Sequence, residues 1–207
     1  RFLRAYFYTK LAFIYGSVPL ITKTITIEEG RTVTQTTADE TWDYVYEELN
    51  KAAGELPLTP SEKGRITKGA ALALNARAML YAKRYDKAAE LAKAVMDLNV
   101  YSLYPSYRNL FSYMAENNSE VILDKEFIKD AYANNVMALF APFSILSNGV
   151  TVVPLKKIVD SYEMTNGKNI NEAGSGFDAY NPYKNRDPRL KYSVYVPGDT
   201  LPTGAIF

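Results

Sequence analysis

Aromatic and amide side chains are concentrated in one tract of the sequence, residues 124–149. Within it, Tyr132, Asn134, Asn135 and Asn148 combine a flat ring with amides that both donate and accept hydrogen bonds. A pyranose sugar needs both, because an aromatic ring covers its C–H face while amides meet its hydroxyl groups. The tract has neither helical nor strand periodicity, which is typical of a binding loop. It predicts a sugar-binding loop, with turn formation as the alternative role of the asparagines.

The same tract contains carboxylates that suggest a different chemistry. Asp124, Glu126 and Asp130 could supply the acid and base of a glycoside hydrolase. On a strand, Asp124 and Glu126 would share one face, although a charged strand edge explains this spacing equally simply. The sequence has no His and no Cys, which excludes Ser-His-Asp triads, thiolate nucleophiles and the usual zinc sites. We expect no catalytic residue, no metal and no cofactor.

Composition limits the class of protein further. Apolar residues make up 47% of the 207 residues, which is enough for a hydrophobic core. The net charge of +1 lacks the basic excess of a nucleic-acid-binding surface, so we expect no nucleic-acid partner. No run of about 18 apolar residues is present to span a membrane. Because the chain starts inside a helical pattern and stops just after a strand-like run, we expect it to be the middle of a longer protein.

The elements that must support the tract begin with amphipathic helices, whose apolar residues recur three and four apart. Arg1–Tyr15 should be a helix ended by Gly16. Thr37–Leu56 should begin with a capping box in the sequence Thr37-Ala38-Asp39-Glu40, where a hydroxyl and a carboxylate each accept a backbone N–H. Trp42 is in phase with the apolar stripe of this helix, so we expect it in the core and not at a sugar.

Two further helical patterns, Lys68–Lys83 and Asp86–Leu98, are separated by a short break. The break is short enough to force them antiparallel, as in one tetratricopeptide (TPR) hairpin. We expect Tyr85 to fill the space at the turn, on the same stripe as Ala88 and Met96. Such a hairpin cannot bury its apolar face alone, so neighbouring helices must complete the layer.

The sequence changes at Asn99 from helical periodicity to a composition typical of loops and short strands. We predict a TPR-like helical region at 1–99 and a loop-rich region with short strands at 100–207, both parts of one incomplete domain. The predicted fold class is mainly α, with TPR-like hairpins packed on an irregular region. Phe140 and Phe143 are expected in its core. Tyr101–Tyr104 and Val121–Leu123 are predicted to be strands or extended segments, and Leu190–Val196 a short strand. A short helix is predicted at Pro154–Glu163, with Pro154 in its first turn.

Several sequence blocks occur in a fixed order along the chain. They are Arg1-Phe2-Leu3-Arg4-Ala5-Tyr6-Phe7-Tyr8, Tyr15-Gly16-Ser17-Val18-Pro19-Leu20, Gly64-Arg65-Ile66-Thr67-Lys68-Gly69-Ala70-Ala71, Asn118-Ser119-Glu120-Val121-Ile122, Val159-Asp160-Ser161-Tyr162-Glu163 and Arg186-Asp187-Pro188-Arg189-Leu190. In this order they resemble the SusD/RagB family of outer-membrane nutrient-binding lipoproteins. In the last block, we expect Asp187 to accept backbone amides and Arg189 to bridge two segments.

The resemblance implies a SusD-like fold and a surface-exposed lipoprotein of the outer membrane. Such a protein would capture an oligosaccharide or other nutrient and deliver it to a SusC-like TonB-dependent transporter. It would touch the membrane only through a lipid anchor outside this chain. In the resembled family, one contributing binding region follows the block Asn118–Ile122, which is where the aromatic tract lies. Two alternatives stay open: a TPR-type protein-interaction scaffold, and a carboxylate-based glycoside hydrolase.

Overall fold

The computed structural model describes residues 1–128, 130–134, 136–141, 145 and 152–207, apart from the side chains of residues 137 and 138. The described residues are mainly helical, which confirms the predicted fold class. A short 3-10 helix lies at Tyr113–Ala115. The α-helices are α1 (Phe2–Tyr15), α2 (Ile27–Arg31), α3 (Ala38–Glu55), α4 (Lys68–Tyr81), α5 (Tyr85–Asp97), α6 (Val136–Phe140), α7 (Lys156–Ser161) and α8 (Pro188–Ser193).

The chain divides into two compact units. Unit 1 comprises residues 1–103 and 117–126, and unit 2 comprises residues 104–116 and 127–207. The division at residue 99, with both parts in one domain, stays a prediction.

Unit 1 is a layer of helices in which α1 packs on α3, α3 on α4, and α4 on α5. Alanines dominate these contacts, and their small side chains let the helix axes approach closely. Trp42 is 7% exposed and lies in this core, as its position on the apolar stripe predicted. The core residues are Phe2, Ala5, Tyr8, Ala12, Val18, Trp42, Val45, Leu49, Ala52, Ala53, Ala70, Ala71, Leu72, Ala78, Met79 and Leu91.

Capping boxes of a threonine and a glutamate mark the starts of two helices of unit 1. The Thr37 hydroxyl accepts the Glu40 N–H at 3.3 Å and the Glu40 carboxylate accepts the Thr37 N–H at 3.0 Å, which confirms the predicted capping box of α3. An equivalent capping box of Thr26 and Glu29 starts α2. The excursion containing α2 is closed by a bridge between Val18 and Thr36, whose N–H donates to the Val18 carbonyl at 3.0 Å.

The α4–α5 turn ends α4 with a Schellman motif. Lys83 takes a left-handed φ of 60°, its N–H donates to the Leu80 carbonyl, and the next N–H donates to the Met79 carbonyl. Tyr85 does not fill the turn, because it is 62% exposed. The buried face of α5 is centred on Leu91, with partial burial at Ala88, Ala94, Val95 and Leu98, whereas Met96 is exposed. The predicted apolar stripe of α5 is therefore rotated about the helix axis from the face that is buried.

A buried carboxylate joins α1 to α3. The Glu48 side chain is 5% exposed and accepts the Arg1 guanidinium at 2.9 Å, and it also pairs with Arg4. Arg4 donates in addition to the Thr22 carbonyl at 3.0 Å. Burial alone would raise the pKa of Glu48, but the hydrogen bond and charge of Arg4, with the charge of Arg1, hold it below its usual value of 4.5. Glu48 is therefore buried in its charged form.

A second polar contact joins α3 to α4. Asn75 is fully buried in α4, and its amide donates to the Tyr46 carbonyl and to the Asn50 side chain, both at 3.1 Å. Arg84, just before α5, pairs with Asp43 of α3. The two Asn75 contacts satisfy its buried N–H donors, whereas its side-chain oxygen has no hydrogen-bond partner among the described residues.

Segment 117–126 returns to unit 1 beside the end of α5. The Ser102 N–H donates to the Ser119 carbonyl at 3.0 Å, and the hydroxyls of the same residues bond at 2.9 Å. Neither Tyr101–Tyr104 nor Val121–Leu123 is a strand, so the strand alternative of both predictions is wrong. Tyr101 instead places its hydroxyl against α4, 3.3 Å from the Thr67 hydroxyl.

Unit 2 is built largely of turns held by a buried arginine. Arg186 donates to the carbonyls of Pro182 and Val159 at 2.8 Å and of Tyr162 at 2.7 Å. It therefore bridges the end of α7 and the segment before α8, the role that the sequence assigned to Arg189. Arg189 pairs with Asp187 instead.

Helix α8 occupies part of the stretch Leu190–Val196 that was predicted to be a strand. Asp187 caps it by accepting the Arg189 N–H at 2.9 Å, as expected, and Pro188 stands in its first turn. This start signal outweighs the strand-like composition that follows. Helix α7 begins at Lys156, so Pro154 precedes its first turn and is not part of it.

Gly69 allows the close approach of Tyr101 to α4. A Cβ atom at this position would lie 2.2 Å from the Tyr101 hydroxyl and 2.6 Å from its ring. We expect Gly69→Ala to lower the free energy of unfolding by about 1–3 kcal/mol, because the ring must move. Urea unfolding will measure it. Gly54→Ala in α3 is the matched control, since its Cβ would meet nothing within 4 Å. Equal stability of the two variants would contradict this account.

Glu48 makes the stability of the protein depend on pH. Because its pKa is lowered on folding, its contribution is present above the usual pKa of 4.5 and is lost as pH falls through the lowered value. We expect Glu48→Gln to be less stable than wild type at neutral pH and to lose less stability on acidification. Urea unfolding across this pH range measures both slopes. The exposed neighbour Glu47, changed to Gln, should keep the wild-type slope; a Glu48→Gln slope equal to wild type would refute the assignment.

Candidate functional site

Tyr132 lies on a tight turn of unit 2. The backbones of Ile128 and Tyr132 pair across it, with N–H to carbonyl distances of 2.9 and 3.2 Å. Asp130 occupies the turn with a left-handed φ of 65°. The Tyr132 side chain is 77% exposed, so its ring is available to a ligand and does not serve a core.

Asn134 follows on the same segment and is also exposed. Its side-chain oxygen accepts the Val136 N–H at 3.1 Å at the start of α6. This hydrogen bond gives Asn134 the turn-forming role that the sequence analysis left as an alternative. Asn135 and Asn148 lie outside the described residues. The structure therefore brings Tyr132 and Asn134 onto one exposed segment, and the sugar-contact role of all four residues stays a prediction.

Phe140 ends α6 and is more than half exposed, so its expected place in the core is wrong. Val136 and Leu139 are exposed as well, so the described side chains of α6 form no buried face. Phe143 lies outside the described residues.

The carboxylates of the tract do not share a strand face. Residues 121–127 form no regular element, so the geometry that would have paired Asp124 with Glu126 is not present. Glu126 accepts the Asn117 amide at 2.7 Å. Asp124 lines a cleft of about 270 Å³ in unit 1 that also carries Lys63 and Arg65. This arrangement does not resemble the facing acid and base of a glycosidase.

A general acid needs a carboxyl group with a raised pKa. Outside the Glu48 cluster, the described carboxyl groups whose pKa is displaced all have a lowered one. Hydrogen bonds hold the pKa of Glu29, Glu40, Asp178 and Asp187 below its usual range. A general acid needs the opposite displacement, since it must carry a proton near neutral pH. Among the described residues, no group of three or more carboxylates is placed to hold a metal ion. The described helices include none with the length and apolar character of a membrane span.

A cleft of about 790 Å³ in unit 2 was not found from the sequence. Four of its lining residues are aromatic: Tyr107, Phe111, Tyr192 and Tyr195. Tyr107 meets Phe111 edge to face at 5.6 Å, and its hydroxyl lies 3.2 Å from the Ser193 hydroxyl. The sequence signal for this cleft was two aromatic pairs, 107/111 and 192/195. They are far apart in the chain, and only the fold brings them together.

A Pro-Gly turn shapes the far side of this cleft. The Asp199 N–H donates to the Val196 carbonyl at 3.0 Å, with Pro197 and Gly198 between them and Gly198 at φ 95°. This is the sequence and φ pattern of a type II turn, which favours glycine at the third position. The turn ends the segment that carries Tyr195.

Two family models match the sequence over most of its length. One, described as "Starch-binding associating with outer membrane", matches residues 1–80, and the other, described as "SusD family", matches residues 119–204. A curated relative, SusD-like protein P25 of Formosa agariphila, is 27% identical over 132 residues, which are 63% of this chain and 25% of that protein.

Solved structures show the same fold. A SusD-like protein of Bacteroides fragilis is 29% identical with a TM-score of 0.80, and a SusD-like carbohydrate-binding protein of the same species is 28% identical with a TM-score of 0.82. Each covers 99% of this chain, which spans 44% and 40% of their respective lengths. A laminarin-binding SusD-like protein is 31% identical over 58% of this chain, covering 28% of that protein, with a TM-score of 0.54.

The chain thus matches both family models and has the fold of the solved relatives. It contains the helical layer of unit 1, the Asn118–Ile122 segment and the helix start at Arg186–Leu190. The chain belongs to the SusD/RagB family.

Proposed function

We propose that the protein is a cell-surface lipoprotein of the outer membrane that captures an oligosaccharide and delivers it to a SusC-like TonB-dependent transporter. Membership of the SusD/RagB family is the observation that carries this proposal. Its solved relatives include one named as carbohydrate-binding and one named as laminarin-binding. Because this chain spans less than half of its solved relatives, the lipid anchor and the transporter contact are proposed for the longer protein.

The proposed mechanism is reversible binding without chemistry. The exposed Tyr132 ring supplies an apolar face with a polar tip, and the amide of Asn134 stands two residues away. Asn135 and Asn148 complete the proposed contacts. A sugar held in this way is released unchanged, as a carrier that passes its ligand to a transporter requires.

The scaffold alternative has less support. A TPR array continues its helix pairs with a period of roughly 34 residues. After α5, the described helices are the 3-10 turn and the short α6, α7 and α8, which do not continue that period. The surface that follows α5 is instead built of turns that present tyrosines.

The proposed site is tested by Tyr132→Ala in the full-length protein. We expect glycan affinity to weaken by about 0.5–1.5 kcal/mol, by analogy with the contribution of aromatic pairs. Thermal stability should be unchanged, because an exposed ring supports little core. Retention on a polysaccharide panel in native gels will identify a ligand, and calorimetric titration will then compare the variants. Tyr113→Ala, another exposed tyrosine of unit 2, is the matched control.

Trp42→Ala supplies the opposite control. Because Trp42 is buried, its removal should lower the free energy of unfolding by about 3–5 kcal/mol. At a temperature where this variant stays folded, its glycan affinity should equal that of wild type. Full affinity in Tyr132→Ala together with lost affinity in folded Trp42→Ala would reverse the assignment.

The protein should turn over none of the glycans that it binds. The reason is the lack of His and Cys in the sequence, together with the lowered pKa values of the displaced carboxyl groups. Incubation of purified protein with the retained polysaccharide, followed by a reducing-sugar assay, measures this. Release of reducing sugar that is abolished by Asp124→Asn or Glu126→Gln would establish the hydrolase alternative.

A further inference from the structure

The aromatic cleft of unit 2 has the composition of a saccharide site. Its volume of about 790 Å³ falls within the range of small-molecule sites, and its tyrosines combine apolar rings with hydroxyl groups. The Tyr107 hydroxyl and the Ser193 hydroxyl form a pair 3.2 Å apart, and Thr200 adds a further hydroxyl to the lining. Ring faces and hydroxyls are the two kinds of group that a sugar ring needs.

Several of the side chains contact another aromatic ring before any ligand binds. The Tyr107 ring meets Phe111 edge to face at 5.6 Å, and the Tyr195 ring lies 5.9 Å from the Phe207 ring. The guanidinium of Arg108 lies over the Tyr192 ring at 5.9 Å from its centre. Side chains ordered in advance lose less conformational entropy when a ligand binds.

The charge of the cleft favours an anion. Arg108 and Lys191 line it, and neither has a carboxylate partner among the residues that the structure describes. Asp199 is the one acidic residue in the described lining, and its carboxylate accepts the Val196 N–H at 2.9 Å within the Pro-Gly turn. The Arg108 guanidinium lies 5.9 Å from the centre of the Tyr192 ring, and its planar fork of N–H donors can bind a carboxylate or sulfate with two parallel bonds.

We infer that this cleft binds an acidic oligosaccharide, whose rings lie on its tyrosines and whose carboxylate or sulfate groups pair with Arg108 and Lys191. The inference rests on the proposed function, because it takes the protein to bind saccharides. It goes further by adding a second site, separate in sequence from the Tyr132 segment, and by naming the charge of the ligand.

The test uses full-length protein and three sets of oligosaccharides of equal length: galacturonic acid oligomers, sulfated galactose oligomers and uncharged glucose oligomers. We expect one of the acidic sets to bind, more weakly as salt concentration rises. Arg108→Gln should weaken that binding by roughly tenfold or more, the effect of losing a hydrogen bond to a charged group. Tyr192→Ala should weaken it by roughly two- to tenfold, the effect of losing an aromatic contact. Which acidic set binds distinguishes carboxylate from sulfate recognition.

Two matched controls separate the cleft from general effects. Tyr180 is 96% exposed in unit 2 and does not line the cleft, so Tyr180→Ala should bind as wild type does. Lys157→Gln removes one exposed positive charge elsewhere in unit 2 and should also keep full affinity. Circular dichroism melts confirm that each variant is folded.

The outcomes distinguish this inference from the proposed function. Loss of acidic binding in Tyr192→Ala, with binding kept in Tyr132→Ala, supports the cleft. Binding of only the uncharged set, or acidic binding that Tyr192→Ala and Arg108→Gln leave intact, overturns the cleft. If the cleft is overturned in this way but Tyr132→Ala loses glycan binding, the proposed function stands and only the second site is rejected. Failure of wild type to bind any of the three sets, or any glycan of the polysaccharide panel, overturns both.

Discussion

A carboxylate buried between helices needs partners, and in unit 1 Glu48 takes them from the first turn of α1. Arg1 and Arg4 stand one helical turn apart, so both can reach the same carboxylate only when α1 lies over α3 in one register. Loss of either arginine would leave a buried charge with too few partners, which is among the costlier defects in a protein. Hydrophobic packing holds α1 against α3 but permits several arrangements of the two helices. The ion-pair cluster selects one of them.

Helix α3 is therefore the element to which the others are fitted. Glu48 orients α1, the Asn75 amide ties α4 to the α3 backbone at Tyr46, and Arg84 secures the turn before α5. Each polar contact joins a different helix to α3. Alanine-rich interfaces are smooth and permit sliding, so directional bonds of this kind define their register.

Local signals predicted the helices well but their faces less well. The Thr37 capping box, Gly16 and the break after α4 are short-range signals, and all act as expected. In α5, however, Ala88 belongs to both the predicted and the observed stripe, so periodicity alone could not choose between Leu91 and Tyr85 as the buried residue. The choice depends on how α5 docks on α4. The strand prediction at Leu190–Val196 was wrong because of a local signal. The helix start at Asp187 and Pro188 outweighs the strand-like composition of the residues that follow.

The candidate sites were predictable only in part. Exposure of Tyr132 follows from its turn-rich surroundings, whereas the capping bond of Asn134 to Val136 depends on where α6 begins. The unit 2 cleft escaped prediction because Tyr107 and Tyr192 are far apart in the chain. The buried role of Arg186 escaped it too, since two arginines flank the same Asp-Pro pair and only the fold shows which one points inward.

The bridge between Val18 and Thr36 makes unit 1 a convenient platform for protein engineering. It pins the two ends of the α2 excursion beside each other, and α2 itself contributes no buried residue. A closed loop of this kind tolerates lengthening cheaply, since each doubling of a flexible loop costs only about 0.6 kcal/mol in closure entropy. An epitope tag or a small reporter domain spliced into this excursion would be carried on the surface while the helical layer kept its packing.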